Sequence, residues 1–330
     1  MLQAAAWVFG GASGLRNRLF DAGVLRVARL EVPVISVGNL VVGGAGKTPV
    51  VIALAQRLVS RGKRVAVVSR GYGGTGGRSR VSDGERIFQT ARECGDEPWL
   101  IANRVPGACV LVGAARAKVA REAVAELGAQ VVLLDDGFQH RGLARDADIL
   151  VLGGVAPLGN GRLLPAGPLR EPWANARRAT LAWLSNGAEL PEAMALPRIR
   201  SRHRPTGLVH LGSCGSGLPT ATDIRELSGK RVFLLAGIAR PAGFTQTLTE
   251  LGAEQVGSAF FRDHHRFTAA ELELVDAEAA RLGADFIATT EKDAARIELS
   301  AGLRTRWVAV RIDVEILEGE AVLGELLDRC

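Results

Sequence analysis

The sequence predicts an α/β protein: a parallel sheet with helices on both faces, then a second, smaller α/β lobe reached through an extended linker. Three observations carry this prediction. Apolar, β-branched runs alternate with helical stretches, the pattern of a parallel sheet covered by helices. The run Val32 to Pro49 reads as a buried strand, a glycine-rich turn, and Gly46-Lys47-Thr48 opening a helix, which makes the fold P-loop-containing. A second alternating series begins at Lys230, and 330 residues are too many for one core.

In chain order, residues 1–15 are uncharged and rather apolar around Trp7, Val8 and Phe9, with Arg16, Arg18, Arg26 and Arg29 following. No basic residue precedes the apolar stretch, which argues against a signal peptide. Two readings stand: a segment lying on an anionic membrane with arginines at the headgroups, or a helix packed on the core. The expected division is 1–30 for this segment, 31–200 for the nucleotide-binding domain and 201–330 for the second lobe. Strands are expected at 33–37, 64–68, 130–135 and 148–152, with helices at 47–61 and 114–127. Residues 153–172 and 185–225 read as irregular, apart from a linker strand near 196–203. The second lobe reads as a strand at 231–236, a helix after Pro241, a strand at 255–260, a helix at 268–283 and a strand at 285–288. Thr268 and Glu271 form a capping box for that last helix, and Leu272, Val275, Ala279 and Leu282 mark its buried face.

Bulk properties narrow the function. Hydrophobic residues make up 47% and charged residues 23%, an ordinary soluble composition. The formal charge of +6 suits anionic partners, but no dense basic run interleaved with aromatics points to nucleic acid. Cys94, Cys109, Cys214 and Cys330 have neither zinc spacing nor a disulfide pattern, so a reducing compartment is expected. No apolar run is long enough to span a bilayer, and nothing points to an obligate protein partner.

The turn Val41-Val42-Gly43-Gly44-Ala45-Gly46-Lys47-Thr48 suits a polyphosphate. Small residues let backbone N–H groups surround oxygen anions, and the helix N-terminus adds its positive dipole end. Lys47 would reach the β- and γ-phosphates and Thr48 would serve Mg²⁺. Val41 stands where the strict pattern has glycine, so a wider loop is expected. Four apolar residues, Val131 to Leu134, then place Asp135 and Asp136 at the carboxyl edge of the sheet, where such enzymes hold Mg²⁺. Either acid fits that role.

Three further groups carry possible chemistry. In Gly95-Asp96-Glu97-Pro98, Asp96 reads as a helix cap or as the carboxylate that orients or deprotonates an acceptor hydroxyl. Leu164 to Pro172 fixes Arg170 on a stiff loop, suited to steadying a transferring phosphoryl group. Phe261-Arg262-Asp263-His264-His265-Arg266-Phe267 reads as a surface loop before a capped helix, or as a source of a histidine partner for a carboxylate across the cleft.

Together these motifs resemble the tetraacyldisaccharide 4′-kinase family. The resemblance rests on Ser36 to Leu40 with Gly43 to Pro49, then Ser69-Arg70-Gly71-Tyr72-Gly73 and Gly95 to Pro98. It continues through Asp135 to His140, Pro168 to Pro172, Asp263-His264-His265 and Thr290-Glu291-Lys292-Asp293. These occur in the family's order from about residue 30 to 296, and the displaced loop glycine is usual there. The loop Ala236 to Phe244 departs from the family, which has Gly-Asn before the proline. The resemblance implies a peripheral enzyme at the cytoplasmic face of the inner membrane. It would move the γ-phosphate of ATP, with Mg²⁺, to the 4′-hydroxyl of a tetraacyldisaccharide 1-phosphate, giving lipid IVA. It also implies an Asp96–His264 dyad as base, and Tyr72, Glu97, Arg116, Gln139, Arg170 and Glu171 lining the site. Two other readings compete. A GTP-driven switch or metallochaperone needs Asn-Lys-x-Asp, which Thr290 to Asp293 does not supply. A non-catalytic membrane adaptor would keep the fold alone.

Overall fold

The computed structural model describes residues 2–191, 194–212, 221–239 and 241–330. Cys214 and Arg240 therefore lie outside the described residues. Helix α1 (Leu2–Asp21) precedes β1 (Val34–Gly38), α2 (Lys47–Ser60), β2 (Val65–Ser69) and β3 (Arg80–Asp83). Next come α3 (Ala91–Cys94), α4 (Asp96–Arg104), β4 (Cys109–Val112), α5 (Arg116–Leu127), β5 (Val131–Asp135), β6 (Ala147–Gly153) and β7 (Leu181–Ser185). The long β8 (Arg198–His210) leads to β9 (Arg231–Ala236), α6 (Pro241–Glu250), β10 (Glu254–Phe260) and α7 (Ala269–Arg281). The chain ends with β11 (Phe286–Thr290), α8 (Glu291–Ala294), β12 (Arg306–Glu318) and α9 (Glu320–Asp328).

Among the described residues one 12-stranded sheet runs through the molecule in the order β10-β9-β11-β12-β8-β7-β6-β1-β5-β2-β4-β3. Every pairing is parallel except β3 with β4 and β8 with β12. The central strands are buried on both faces, and their residues alternate between two cores. Ile35, Val37, Val65, Val67, Val131 and Leu133 pack with α2 and α4. Val34, Ala66, Val68, Val132 and Leu134 pack with α5 on the other side. This two-faced burial is what a continuous apolar run in a parallel strand requires.

The expected strands and helices lie close to their observed positions, while β3, β4, β7 and β12 stand outside the expected set. The stretch 185–225, expected to be irregular apart from a linker strand near 196–203, contains the 13-residue β8, which pairs with β7 and β12. Its repeat Arg198-Ile199-Arg200-Ser201-Arg202-His203 is a period-two strand pattern with almost no apolar signal; Ile199 and Ser201 face inward. The expected boundary after residue 200 thus falls inside a strand. In addition, α9 folds back onto α2: Leu323 and Leu327 join its core, and Arg57 and Arg61 pair with Glu320 and Asp328. The capping box at Thr268 and Glu271 forms as expected, and Leu272, Val275 and Ala279 are buried.

One side of helix α1 packs on the core, as the second reading of the N-terminus expects. Ala6 and Asn17 are buried, and a Cβ on Gly10 would meet Leu163 at 2.6 Å, so this side lies against the body of the protein. Trp7 and Val8 are 76% and 74% exposed.

Candidate active site

The loop after β1 is built to receive an anion. Gly43 and Gly46 take positive φ values of 98° and 79°, open to glycine at little cost. Gly46 occupies the N-cap of α2 without a side-chain cap, and no acidic residue sits in the first turn. The N–H groups of that turn are thus free for an external acceptor. Val41 replaces the usual glycine because its side chain is buried in an apolar cluster with Leu40, Ala45, Phe138 and Leu169. The loop is pinned to the segment carrying Arg170: Val42 N donates to Pro168 O at 2.8 Å and Arg170 N to Leu40 O at 2.7 Å.

Facing the loop are the acids at the end of β5, brought alongside by the register Val37 with Asp135. Lys47 Nζ lies 3.5 Å from Asp136 Oδ1 and 3.4 Å from Asn39 Oδ1. Asp136 has φ of 49°, and its Oδ2 accepts from Arg170 Nη1 at 2.7 Å while its carbonyl accepts from Arg116 Nη1 at 2.7 Å. Burial alone would raise this carboxyl, but Lys47 and Arg170 hold it below its ordinary value. Asp135 is fully buried and accepts from Ser69 Oγ at 3.1 Å. Burial, reinforced by the charges of Glu97 and Asp136, pushes it up to about 7. Gln139 completes the group, donating to Asn39 O at 2.8 Å and accepting from Arg170 at 3.4 Å.

These residues fit a Mg²⁺ ion shared with phosphates. Asp135 Oδ1 and Asp136 Oδ1 are buried oxygens without a hydrogen-bond donor. Among the described residues no cluster of three or more ligating side chains forms a metal cage. That suits an ion held by one or two carboxylates, Thr48 and the substrate's own oxygens.

A second group forms where α4 meets the loop after β10. His264 Nδ1 lies 3.1 Å from Asp96 Oδ2. His264 has φ of 59°, a left-handed conformation that costs a non-glycine residue. Gly95, not Asp96, occupies the N-cap of α4. A Cβ there would meet Tyr72 O at 2.7 Å, so Asp96 becomes the first helical residue, accepting from Glu97 N at 3.1 Å. Burial favours the neutral Asp96 carboxyl, yet the His264 hydrogen bond and Lys292 leave it below its ordinary value. The same bond raises His264 against its own partial burial. Lys292 Nζ sits 3.1 Å from Glu97 Oε1 and 3.4 Å from His264 Nε2. Arg296 Nε lies 3.8 Å from Asp96, and the ring of exposed Tyr72 stands edge-on to His264 at 5.9 Å. Glu97, whose charge reaches both Lys292 and Asp135, links the two groups.

Two expected residues play other parts. Glu171 is buried and bound to Asn17, Asn175 and Arg178 at 2.7, 2.8 and 2.9 Å, so it anchors α1 to the body of the protein. His265 stacks on Phe261 at 4.6 Å and pairs with Glu271, which ties it to the cap of α7. Conversely, Asn39, Ser69, Lys292 and Arg296 reach the site without an assigned role from sequence. The first three lie inside the quoted motifs, where an unassigned polar residue beside a glycine or an acid was the available signal.

The sequence profile described as tetraacyldisaccharide-1-P 4′-kinase matches residues 1–330. The chain belongs to the tetraacyldisaccharide 4′-kinase family. It is 50% identical to a tetraacyldisaccharide 4′-kinase of Anaeromyxobacter dehalogenans (strain 2CP-C), with 97% of this chain and 87% of that one covered. The kinase of that name from Syntrophus aciditrophicus (strain SB) is 43% identical, with 84% and 79% covered. Among solved structures, the crystal structure of LpxK from Aquifex aeolicus in complex with ATP matches with a TM-score of 0.81 and 32% identity, covering 99% of this chain and 97% of that one. As a tetraacyldisaccharide 4′-kinase the protein is a transferase that uses ATP, and the switch and adaptor readings fall away.

Proposed function

We propose that the protein transfers the γ-phosphate of ATP to the 4′-hydroxyl of a tetraacyldisaccharide 1-phosphate, giving lipid IVA, and that Asp96 and His264 form its base. The observation that carries this reading is the 3.1 Å contact between those two side chains. It joins residue 96 to residue 264, and Glu97, next in sequence to Asp96, acts by its charge on Asp135.

In this reading the N–H groups at the start of α2 and the Lys47 ammonium bind the nucleotide phosphates. Thr48 and the Asp135–Asp136 pair would hold Mg²⁺, which would supply charge neutralisation to the nucleotide phosphates. Arg170, aimed by Asp136 and Gln139, steadies charge on the transferring phosphoryl group, and Arg116 supports the same turn. The acceptor hydroxyl gives its proton to the Asp96–His264 pair as its oxygen attacks the γ-phosphorus and the bond from that phosphorus to the β-phosphate oxygen breaks, releasing ADP. Tyr72, exposed at the rim, faces the incoming sugar. The parts of the chain before and after β8 act as two lobes closing on the nucleotide, which excludes water from the transfer.

The acceptor carries acyl chains, and the exposed apolar side of α1 supports contact with an anionic membrane surface at the cytoplasmic face of the inner membrane. No helix of the described residues is long and apolar enough to cross a membrane. The deciding experiment follows labelled γ-phosphate from Mg·ATP into tetraacyldisaccharide 1-phosphate in detergent micelles, for wild type and Asp96→Ala. Labelled lipid from wild type alone is expected; equal labelling by the variant would remove Asp96 from the mechanism.

A further inference from the structure

From the contacts around α8 we infer that Lys292 is a positioning residue that fixes the tautomer of His264, and that the Arg104–Glu291 pair seats it there. The inference rests on the reading of Asp96 and His264 as the base.

An ammonium group has three donors and no acceptor. Lys292 Nζ, 3.4 Å from His264 Nε2, can therefore bond only to an Nε2 that carries no proton. In the neutral ring the proton then belongs to Nδ1, which faces Asp96 Oδ2 at 3.1 Å and donates to it. The opposite tautomer would set an N–H against the ammonium and two lone pairs against each other at Asp96. Lys292 keeps its charge despite burial because Glu97 lies at 3.1 Å and Asp263 at 3.9 Å.

Lys292 belongs to a single short turn, α8, whose position is set from outside. Its first residue, Glu291, meets Arg104 at the far end of α4, with side chains 6% and 4% exposed. Arg311 and the N–H of Ile312 reach the same carboxylate at 3.3 and 3.4 Å. One end of α4 thus carries Asp96 and Glu97, while the other end holds the turn that brings Lys292 to them.

The groups facing His264 are Asp96 from α4, Lys292 from α8, Asp263 from its own loop, and Tyr72 from the loop after β2. Arg296 approaches Asp96 from beyond α8. Of these, Asp96 and Asp263 favour the imidazolium and Lys292 opposes it. Removing the ammonium should raise the His264 pKa by about one unit, the effect of a unit charge at this separation in a water-like dielectric.

The test is a ¹⁵N-imidazole NMR titration of the full-length protein as wild type, Lys292→Met and Lys292→Arg, with turnover measured across the same pH range. The expected results are an Nδ1–H tautomer in wild type, an upward pKa shift in K292M with the acidic limb of kcat moving with it, and restoration by K292R. A neutral Nε2–H tautomer in wild type, or an unmoved pKa in K292M, overturns the inference. Those NMR readings do not need turnover. Failure of the base assignment is read separately, as normal turnover by Asp96→Ala.

Discussion

Arg104, the last residue of α4, and Glu291, the first of α8, form an ion pair that is almost entirely buried although 187 residues separate them in sequence. Arg104 also pairs with Asp313 and donates to Ile312 O at 3.3 Å, so one guanidinium ties α4 to both α8 and β12. Burial drives the Glu291 carboxyl upward, and the arginines pull against it. Removing one partner leaves the other buried and uncompensated, at about 3–5 kcal/mol. Arg104→Met or Glu291→Gln should each lower stability on that scale. The double variant Arg104→Met/Glu291→Met should lose less than the sum of the single losses. A double-mutant cycle from urea unfolding checks this, and simple additivity would show that the two residues do not act as a pair.

The Lys47 contact with Asp136 leads to a kinetic prediction. Lys47 is the cation nearest the free oxygen of that acid. Lys47→Ala should lower kcat by roughly 10²–10³-fold, the usual loss when one preorganised group facing developing charge is removed. Lys47→Arg should restore little, since a planar guanidinium does not reproduce a compact ammonium. Steady-state kinetics with saturating lipid, beside a melting curve near that of wild type, distinguishes lost chemistry from lost fold. Turnover within a few-fold of wild type would move the phosphate contact elsewhere.

The Asp96–His264 pair makes stability and activity run in opposite directions with pH. His264 is raised above its ordinary 6.5, so the stabilisation from its charged form is complete below 6.5 and is lost as pH rises through the raised value. Asp96 is depressed below 3.8, so its share is present above 3.8 and lost as pH falls through the depressed value. The pair therefore stabilises most between those two ordinary values, modestly because the His264 side chain is 36% exposed. An imidazolium beside Asp96 makes that carboxylate a weaker base than a neutral ring does, so kcat should climb over the interval above 6.5 in which this stabilisation declines. Asp96→Asn should return the His264 pKa toward or below 6.5. Paired rate and melting profiles with parallel slopes would contradict the assignment.

The sequence made β1, β2, β5 and β6 legible because these strands are apolar runs with helical stretches between them, whereas β3, with Arg80, Ser82 and Asp83, carries no such signal. The same clarity extended to the placing of Lys47, Asp135 and Asp136 at one edge of the sheet, which depends on neighbours in sequence and on one adjacent strand. β8 was only partly legible, since its inward positions are Ile199 and Ser201 among arginines, a strand signal without hydrophobic weight. Lys292 and Arg296 were visible as residues but not as members of the site. Their contacts with Glu97, His264 and Asp96 are set by the packing of α8 on α4, which no local pattern encodes. Glu171 shows the reverse error: its position next to Arg170 suggested the site, but the chain turns and gives it to Asn17 and Arg178.

Helix α1 provides the last prediction. Its inner side is held by Asn17 bonded to Glu171, by Arg16 donating to Gln139 O at 3.2 Å, and by Arg141 pairing with Asp21. The outer side leaves Trp7, Val8 and Leu15 exposed, with Arg18 on the same helix. Large apolar side chains each contribute about 1.5–3 kcal/mol when moved out of water. A helix this firmly attached can deliver that energy to a lipid surface without first having to fold there. Trp7→Glu/Val8→Glu should therefore weaken binding to anionic phospholipid vesicles by at least about tenfold, and turnover on membrane-embedded lipid should fall with it. Turnover on a detergent-dispersed acceptor should stay near wild type, because neither residue approaches Lys47, Asp96 or His264. Vesicle co-sedimentation and turnover in both formats separate the outcomes. Equal loss in both would mean that the outer side of α1 serves the chemistry, and unchanged vesicle binding would mean that another surface meets the membrane.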